Sequence, residues 1–124
     1  MESFNRIRIS SDSTIKLRTL KTRTGLTPNL LCRIGLCYSL NKGPTPKGIT
    51  EIDEEGQEFN RYTLTGQFDI YIIALIKQRC LIDEINPKSS FIEQFKLHLN
   101  NGIQLMYGRV RSLMDINNLL VDTK

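Results

Sequence analysis

The chain has 124 residues, enough for one domain with a single modest core. At 40% hydrophobic and 24% charged residues, its composition is that of a soluble globular protein, which argues against a disordered or fibrous chain. The longest apolar run, Ile70 to Ile76, stops at Lys77, far short of the ~20 residues a membrane-spanning helix needs, and no apolar segment of signal-peptide type opens the chain. The expectation is a single cytoplasmic domain over residues 1–124.

The net charge of +4 is unevenly placed. Residues 1–47 carry +7 and residues 48–124 carry −3. A basic N-terminal third on a nearly neutral body suggests a face for a polyanion. The three cysteines, Cys32, Cys37 and Cys80, form no C-x-x-C pair, and His98 is the only histidine. That set provides neither a disulfide framework nor four ligands at zinc spacing, so reduced thiols and no metal or cofactor are expected.

In chain order, Arg6-Ile7-Arg8-Ile9 alternates with period two, placing two arginines on one face of a short strand and two isoleucines on the other. No neighbouring segment offers an evident partner, so this strand could pair with the same strand of a second copy. Ser10-Ser11-Asp12 has the chemistry of a helix N-cap. The helix it opens carries Lys16 and Arg23 as one basic stripe and Arg18 and Lys21 as another, with a thin apolar edge at Leu17 and Leu20. Gly25 suits the end of this helix, since glycine takes a left-handed cap conformation without steric cost.

Thr27-Pro28 reads as the cap and first residue of a second helix. That helix is apolar on several sides, through Leu30, Leu31, Ile34, Leu36, Tyr38 and Leu40. A small domain covers such a helix with difficulty, so these six residues are expected at an interface between copies. Lys42 to Gly48 is a loop rich in glycine and proline, and Lys42 and Lys47 add to the basic face. Ile49 to Ile52 and Glu58 to Leu64, on either side of an acidic turn, read as a short hairpin. The acidic turn itself has no ordered oxygen-ligand spacing. A third helix, capped at Thr65 or Gly66 and running to about Asp83, is expected in the centre of the core. A fourth starts at Ser89 or Ser90 after the break at Asn86-Pro87, with His98 on its apolar face, and Gly102 either ends or kinks it. The expected fold is therefore mainly α: a basic strand and two helices in ribbon-helix-helix-like order, a hairpin, then two or three further helices.

No Gly-rich phosphate loop, H-E-x-x-H, G-x-S-x-G or Cys/His set is present, and no carboxylates are placed to converge on a metal. The expectation is a protein without catalytic residues.

Three stretches together resemble the DndE family of DNA sulfur modification proteins. They are Arg6-Ile7-Arg8-Ile9-Ser10 with Leu17-Arg18-Thr19-Leu20-Lys21; Thr24-Gly25-Leu26-Thr27-Pro28-Asn29-Leu30-Leu31-Cys32-Arg33-Ile34-Gly35-Leu36; and Glu58-Phe59-Asn60-Arg61-Tyr62-Thr63-Leu64-Thr65-Gly66. His98-Leu99-Asn100-Asn101-Gly102-Ile103 adds a fourth, and the likeness spans roughly residues 5–110. The resemblance implies a non-catalytic accessory subunit of the phosphorothioation machinery, which replaces a non-bridging phosphate oxygen of DNA with sulfur. It implies a homotetramer that works beside a cysteine desulfurase and other modification proteins and binds duplex DNA, with nicked duplex a candidate substrate. On this sequence the DNA-contacting cations would be Arg6, Arg8, Lys16, Arg18, Lys21, Arg23, Lys42 and Lys47. Two other readings are a ribbon-helix-helix-type repressor, with Asn5, Arg6 and Arg8 on base edges, and a scaffold that binds only proteins of the machinery.

Overall fold

The computed structural model describes residues 4–43 and 52–122. The expected strand forms as β1 (Arg6–Arg8). It is followed by α1 (Ser11–Thr24) and α2 (Pro28–Lys42). Both caps follow the sequence reading. The side chain of Ser10 accepts from Ser13 N, and Gly25 closes α1 at φ 78° while its N–H donates to Lys21 O. Thr27 accepts from Leu30 N, with Pro28 in the first turn.

The partner of β1 lies in the same chain. β2 (Glu58–Asn60) pairs with it antiparallel, Arg6 opposite Asn60, Ile7 opposite Phe59 and Arg8 opposite Glu58. The ladder continues on both sides, from Arg61 N to Asn5 O and from Ile9 N to Gln57 O. This arrangement replaces both the ribbon shared between copies and the hairpin expected within residues 49–64; of that hairpin, residues 49–51 lie outside the described residues. Ile7 and Phe59 point inward together, so the pairing that buries both apolar side chains prevails over pairing between sequence neighbours.

A short helix, α3 (Arg61–Thr65), and a 3-10 turn at Gly66–Phe68 then lead into α4 (Asp69–Ile82). The helix expected from Thr65 or Gly66 to about Asp83 is found as this 3-10 turn and α4, and Gly66, at φ 60° with the Arg33 guanidinium packed against it, separates it from α3. The next helix, α5 (Pro87–Arg109), begins earlier than expected: Asn86 is its cap, accepting from Lys88 N, and Pro87 sits in its first turn. Asn86-Pro87 is thus a helix start of the same kind as Thr27-Pro28. α6 (Leu113–Asp122) ends the described chain.

The long helix α5 decides the packing. It runs straight through Gly102 and crosses α2 so closely that the two backbones touch there. A Cβ added at Gly102 would lie 2.1 Å from Gly35 O, and one added at Gly35 would lie 3.0 Å from Gly102 C. One turn away, Ser39 of α2 meets His98 of α5, so the helices run antiparallel. Leu31, Cys32 and Leu36 of α2 and Phe95, Leu99, Ile103 and Met106 of α5 fill the core on either side.

This packing corrects two expectations. Leu31 and Leu36 are fully buried within the protomer, and Tyr38 and Leu40 nearly so; Ile34 is half-buried, and Leu30 alone of the six is exposed. α2 is therefore the central helix, covered by α1, α3, α4 and α5, and it needs no second copy to hide it. α4, expected at the centre, lies at the edge. It buries Ile72, Ile76 and Cys80 but leaves Ile70 78%, Tyr71 68% and Leu81 66% exposed.

Arg61 ties the N-terminal segment to α4. It forms a two-pronged ion pair with Asp69, Nε to Oδ1 and Nη2 to Oδ2, both at 3.0 Å. It also donates to Phe4 O at 3.3 Å, and its guanidinium lies 4.8 Å from the Phe4 ring centre. Thr65 Oγ1 donates to the same carboxylate at 2.8 Å. Burial alone would raise the Asp69 pKa, but the hydrogen bonds from Arg61 and Thr65 and the charge of Arg61 bring it below the ordinary value.

Two stability predictions follow from the packing, both read by urea unfolding. Gly102→Ala forces a methyl into the α2 backbone and costs about 3 kcal/mol, whereas Gly108→Ala, with open space around its Cβ, stabilises the helix by roughly 0.5–1 kcal/mol. Arg61→Ala leaves the partly buried Asp69 without its partner and costs about 3–5 kcal/mol; a loss below about 1 kcal/mol would show that the pair is not structural.

Candidate nucleic-acid interface

The positions of the eight expected cations follow from how α1 lies on α5. Ser10 N donates to Asn100 Oδ1 at 3.0 Å, Gln104 Nε2 donates to Asp12 Oδ2 at 2.9 Å, and Arg23 Nη1 donates to Tyr107 O and Val110 O at 3.1 and 3.2 Å. The partners advance together along both helices, so α1 runs in the same direction as the second half of α5.

That register separates the two basic stripes of α1. Lys16 and Arg23 turn onto α5. Lys16 pairs with Asp12 and donates to Gln104, and the cations of Lys16 and Arg23 lie 5.3 and 4.8 Å from the Tyr107 ring centre. The hydrogen bond from Lys16, then that from Gln104, holds the Asp12 carboxyl below its ordinary pKa. Arg18 and Lys21 point the other way, into solvent, and their side chains take no partner among the described residues. Arg6 and Arg8 are exposed on the outer face of β1, each in an ion pair with Glu58 at 3.3 and 3.5 Å. Lys42 is exposed at the end of α2 with its ammonium 5.4 Å from the Tyr38 ring centre. Lys47 lies outside the described residues.

Two further cations were not assigned from sequence. Arg109 and Arg111 are exposed at the C-terminal end of α5, which Arg23 fastens to the end of α1 carrying Lys21. Their place off the apolar stripe of α5 was the available signal. The acidic run is also structural in part: Asp53 accepts from Ser11 N and Oγ and from Glu55 N, capping α1 a second time. The backbone hydrogen bonds from Ser11 and Glu55 hold its pKa below the ordinary carboxylate value. Glu54 pairs with Lys96 of α5.

Among the described residues, the one arrangement reminiscent of a nucleophile and its base is Ser39 with His98, Oγ to Nδ1 2.9 Å. Asn101 Nδ2 donates to Ser39 Oγ, leaving the Ser39 proton for a neutral imidazole. Ser39 and His98 are 2% and 1% exposed, so a substrate has no approach to them. Burial pushes the His98 pKa down to about 4; Asp83 opposes this and Arg79 adds to it. The pair belongs to the α2–α5 crossing. The three cysteines are free, and burial raises the pKa of each, so they are neutral thiols.

A family model described as DNA sulphur modification protein DndE matches residues 6–113. The chain belongs to the DndE family. Membership makes it a DndE protein of the DNA phosphorothioation system and associates it with the DNA modification machinery. The fold is similar to the crystal structure of DndE from Escherichia coli B7A, described as involved in DNA phosphorothioation modification. That likeness has a TM-score of 0.68 at 21% sequence identity, over 85% of this chain and 98% of that one. No curated protein matches the sequence. No described helix is long and apolar enough to cross a membrane.

The buried imidazole sets a pH dependence. The unfolded chain takes up a proton at His98 near pH 6.5 and the folded chain only near 4, so the contribution is fully present above pH 6.5 and is lost as pH falls toward 4. Urea unfolding at pH 7 and pH 5 is expected to show a loss of about 2 kcal/mol from this group. His98→Gln flattens that slope; an unchanged slope would assign it to other groups.

Proposed function

We propose that the chain is a non-catalytic DNA-binding subunit of the phosphorothioation machinery, acting as a homotetramer on duplex DNA, nicked duplex included. The observation that carries this reading is the outward stripe of α1, where Arg18 and Lys21 stand in solvent with their charges uncommitted among the described residues. Arg6 and Arg8 extend the cationic surface on β1. Their ion pairs with Glu58 are solvent-exposed, with the arginine side chains 72% and 50% accessible. Exposed pairs of this kind contribute about 0–1 kcal/mol, little enough for a phosphate to displace the carboxylate. Lys16 and Arg23 support the reading indirectly, by fixing α1 and the cationic end of α5 side by side.

For assembly, the support moves from α2 to α4. The row Ile70, Ala74 and Leu81, with Tyr71 beside it, is exposed apolar surface of the kind that marks interaction sites. The ribbon-type repressor loses its footing, because β1 is paired with β2 of its own chain.

The test combines DNA titrations at two salt concentrations with light scattering, using intact and nicked duplexes. Arg18→Glu with Lys21→Glu is expected to weaken binding to all sequences alike and to make the salt slope shallower by about 2. Ile70→Glu with Leu81→Glu is expected to lower the assembled mass. Unchanged DNA binding in the first variant would remove α1 from the interface, and a purified protein without salt-sensitive binding would favour a scaffold that contacts only proteins.

A further inference from the structure

A cleft of about 640 Å³ lies between α2, α4 and α6, within the ~300–1,000 Å³ range of small-molecule sites. Ile34, Leu75 and Ile82 give it apolar walls. Two arginines, Arg33 and Arg79, line it with no Asp or Glu among the lining residues; Asp83 pairs with Arg79, so Arg33 is the lining cation without a carboxylate partner among the described residues and favours an anion.

Two donor atoms of its lining residues, the Tyr38 hydroxyl and Arg79 Nε, have no acceptor among the described residues. Tyr38 is 4% exposed and lines the cleft, and its buried hydroxyl has no partner among the described residues. Arg79 spends Nη2 on Asp83 at 3.2 Å, and its buried Nε is likewise unpartnered. Arg33 donates Nε and Nη2 to the carbonyls of Leu64 and Thr63, which fixes its guanidinium beside the cleft. Buried donors with unmet hydrogen bonds are rare in folded proteins, and these two belong to residues that line one cleft.

We propose that this cleft binds an amphipathic organic anion. The apolar body packs against Ile34, Leu75 and Ile82, and the anionic head accepts from the Tyr38 hydroxyl and Arg79 Nε beside the charge of Arg33. The site is separate from the cations of α1 and β1. Duplex DNA, charged along its length with its bases stacked inside, presents no apolar body to fill it.

The probe is decanoate below its micelle concentration, titrated calorimetrically into the intact chain, with 1-decanol as the headless counterpart. Saturable binding at one site per chain is expected, with decanol much weaker. Tyr38→Phe, which keeps the ring and removes the donor, is expected to weaken decanoate binding roughly three- to tenfold. Leu75→Trp fills the cleft from a half-exposed position and is expected to abolish binding. Glu93→Gln, exposed on α5 and not among the lining residues, is expected to bind as the parent chain does. Circular dichroism and thermal midpoints without ligand establish that each variant is folded. The proposal is overturned by absence of saturable binding, by decanol binding as well as decanoate, or by equal affinity in the parent and Tyr38→Phe chains. It is also overturned if Leu75→Trp lowers the light-scattering mass, which would assign the cleft to a second copy.

Discussion

Two helices whose backbones touch must give up their side chains at the point of contact, and that requirement organises this chain. Gly35 on α2 and Gly102 on α5 meet with no room for a Cβ on either. Close approach brings their flanking residues into contact as well: Ser39, His98 and Asn101 satisfy one another next to the glycines, and the large apolar residues pack outside them. The polar trio lies beside the crossing, Ser39 and His98 buried and Asn101 half-buried, and its hydrogen bonds offset the cost of burying it. Because α5 continues well past the crossing, its second half is available to receive α1. The contact between two glycines therefore also determines where the N-terminal cations lie.

Charge on α1 is divided by that placement. Lys16 and Arg23 sit against the ring of Tyr107 and the end of α5, where packing and hydrogen bonds hold them. Arg18 and Lys21 are left to solvent. Counting cations along the sequence treats these four residues as equivalent. In the fold, two of them hold helices together and two are exposed, and only the second pair could be reversed in charge without disturbing the structure. Arg109 and Arg111 join the exposed group because Arg23 draws the end of α5 to the end of α1.

Local chemistry was readable from the sequence wherever a single residue decides it. Ser10, Gly25 and Thr27-Pro28 bound their helices as expected, since a cap depends on a few adjacent atoms. What could not be read was which of two apolar helices the fold would cover. Periodicity ranked α2 and α4 as similarly apolar, and the choice between them rests on α5. Placing the start of α5 at Ser89 or Ser90, and allowing Gly102 to end it, shortens the helix that encloses α2. With Asn86 as cap and Gly102 as a crossing point, α2 is enclosed and α4 is left at the edge. The pairing of β1 with β2 was hidden for a different reason: more than 40 residues of sequence separate the strands, and no local pattern records a contact at that range.

The segments that resemble the DndE family turn out to be mostly structural. In Glu58 to Gly66, Phe59 and Leu64 enter the core, Asn60 caps α3, Arg61 and Thr65 hold Asp69, and Gly66 makes room for Arg33. In Thr24 to Leu36 the residues end one helix, start the next and reach the glycine crossing. Of the exposed cations, Arg6, Arg8, Arg18 and Lys21 lie in the N-terminal segment of the resemblance, which also supplies β1 and the buried edge of α1. The resembling segments therefore consist largely of residues that build the fold. The outward stripe of α1 is the part of the chain where sequence can change without cost to the architecture, and that freedom is why its role has to be measured on the stripe itself.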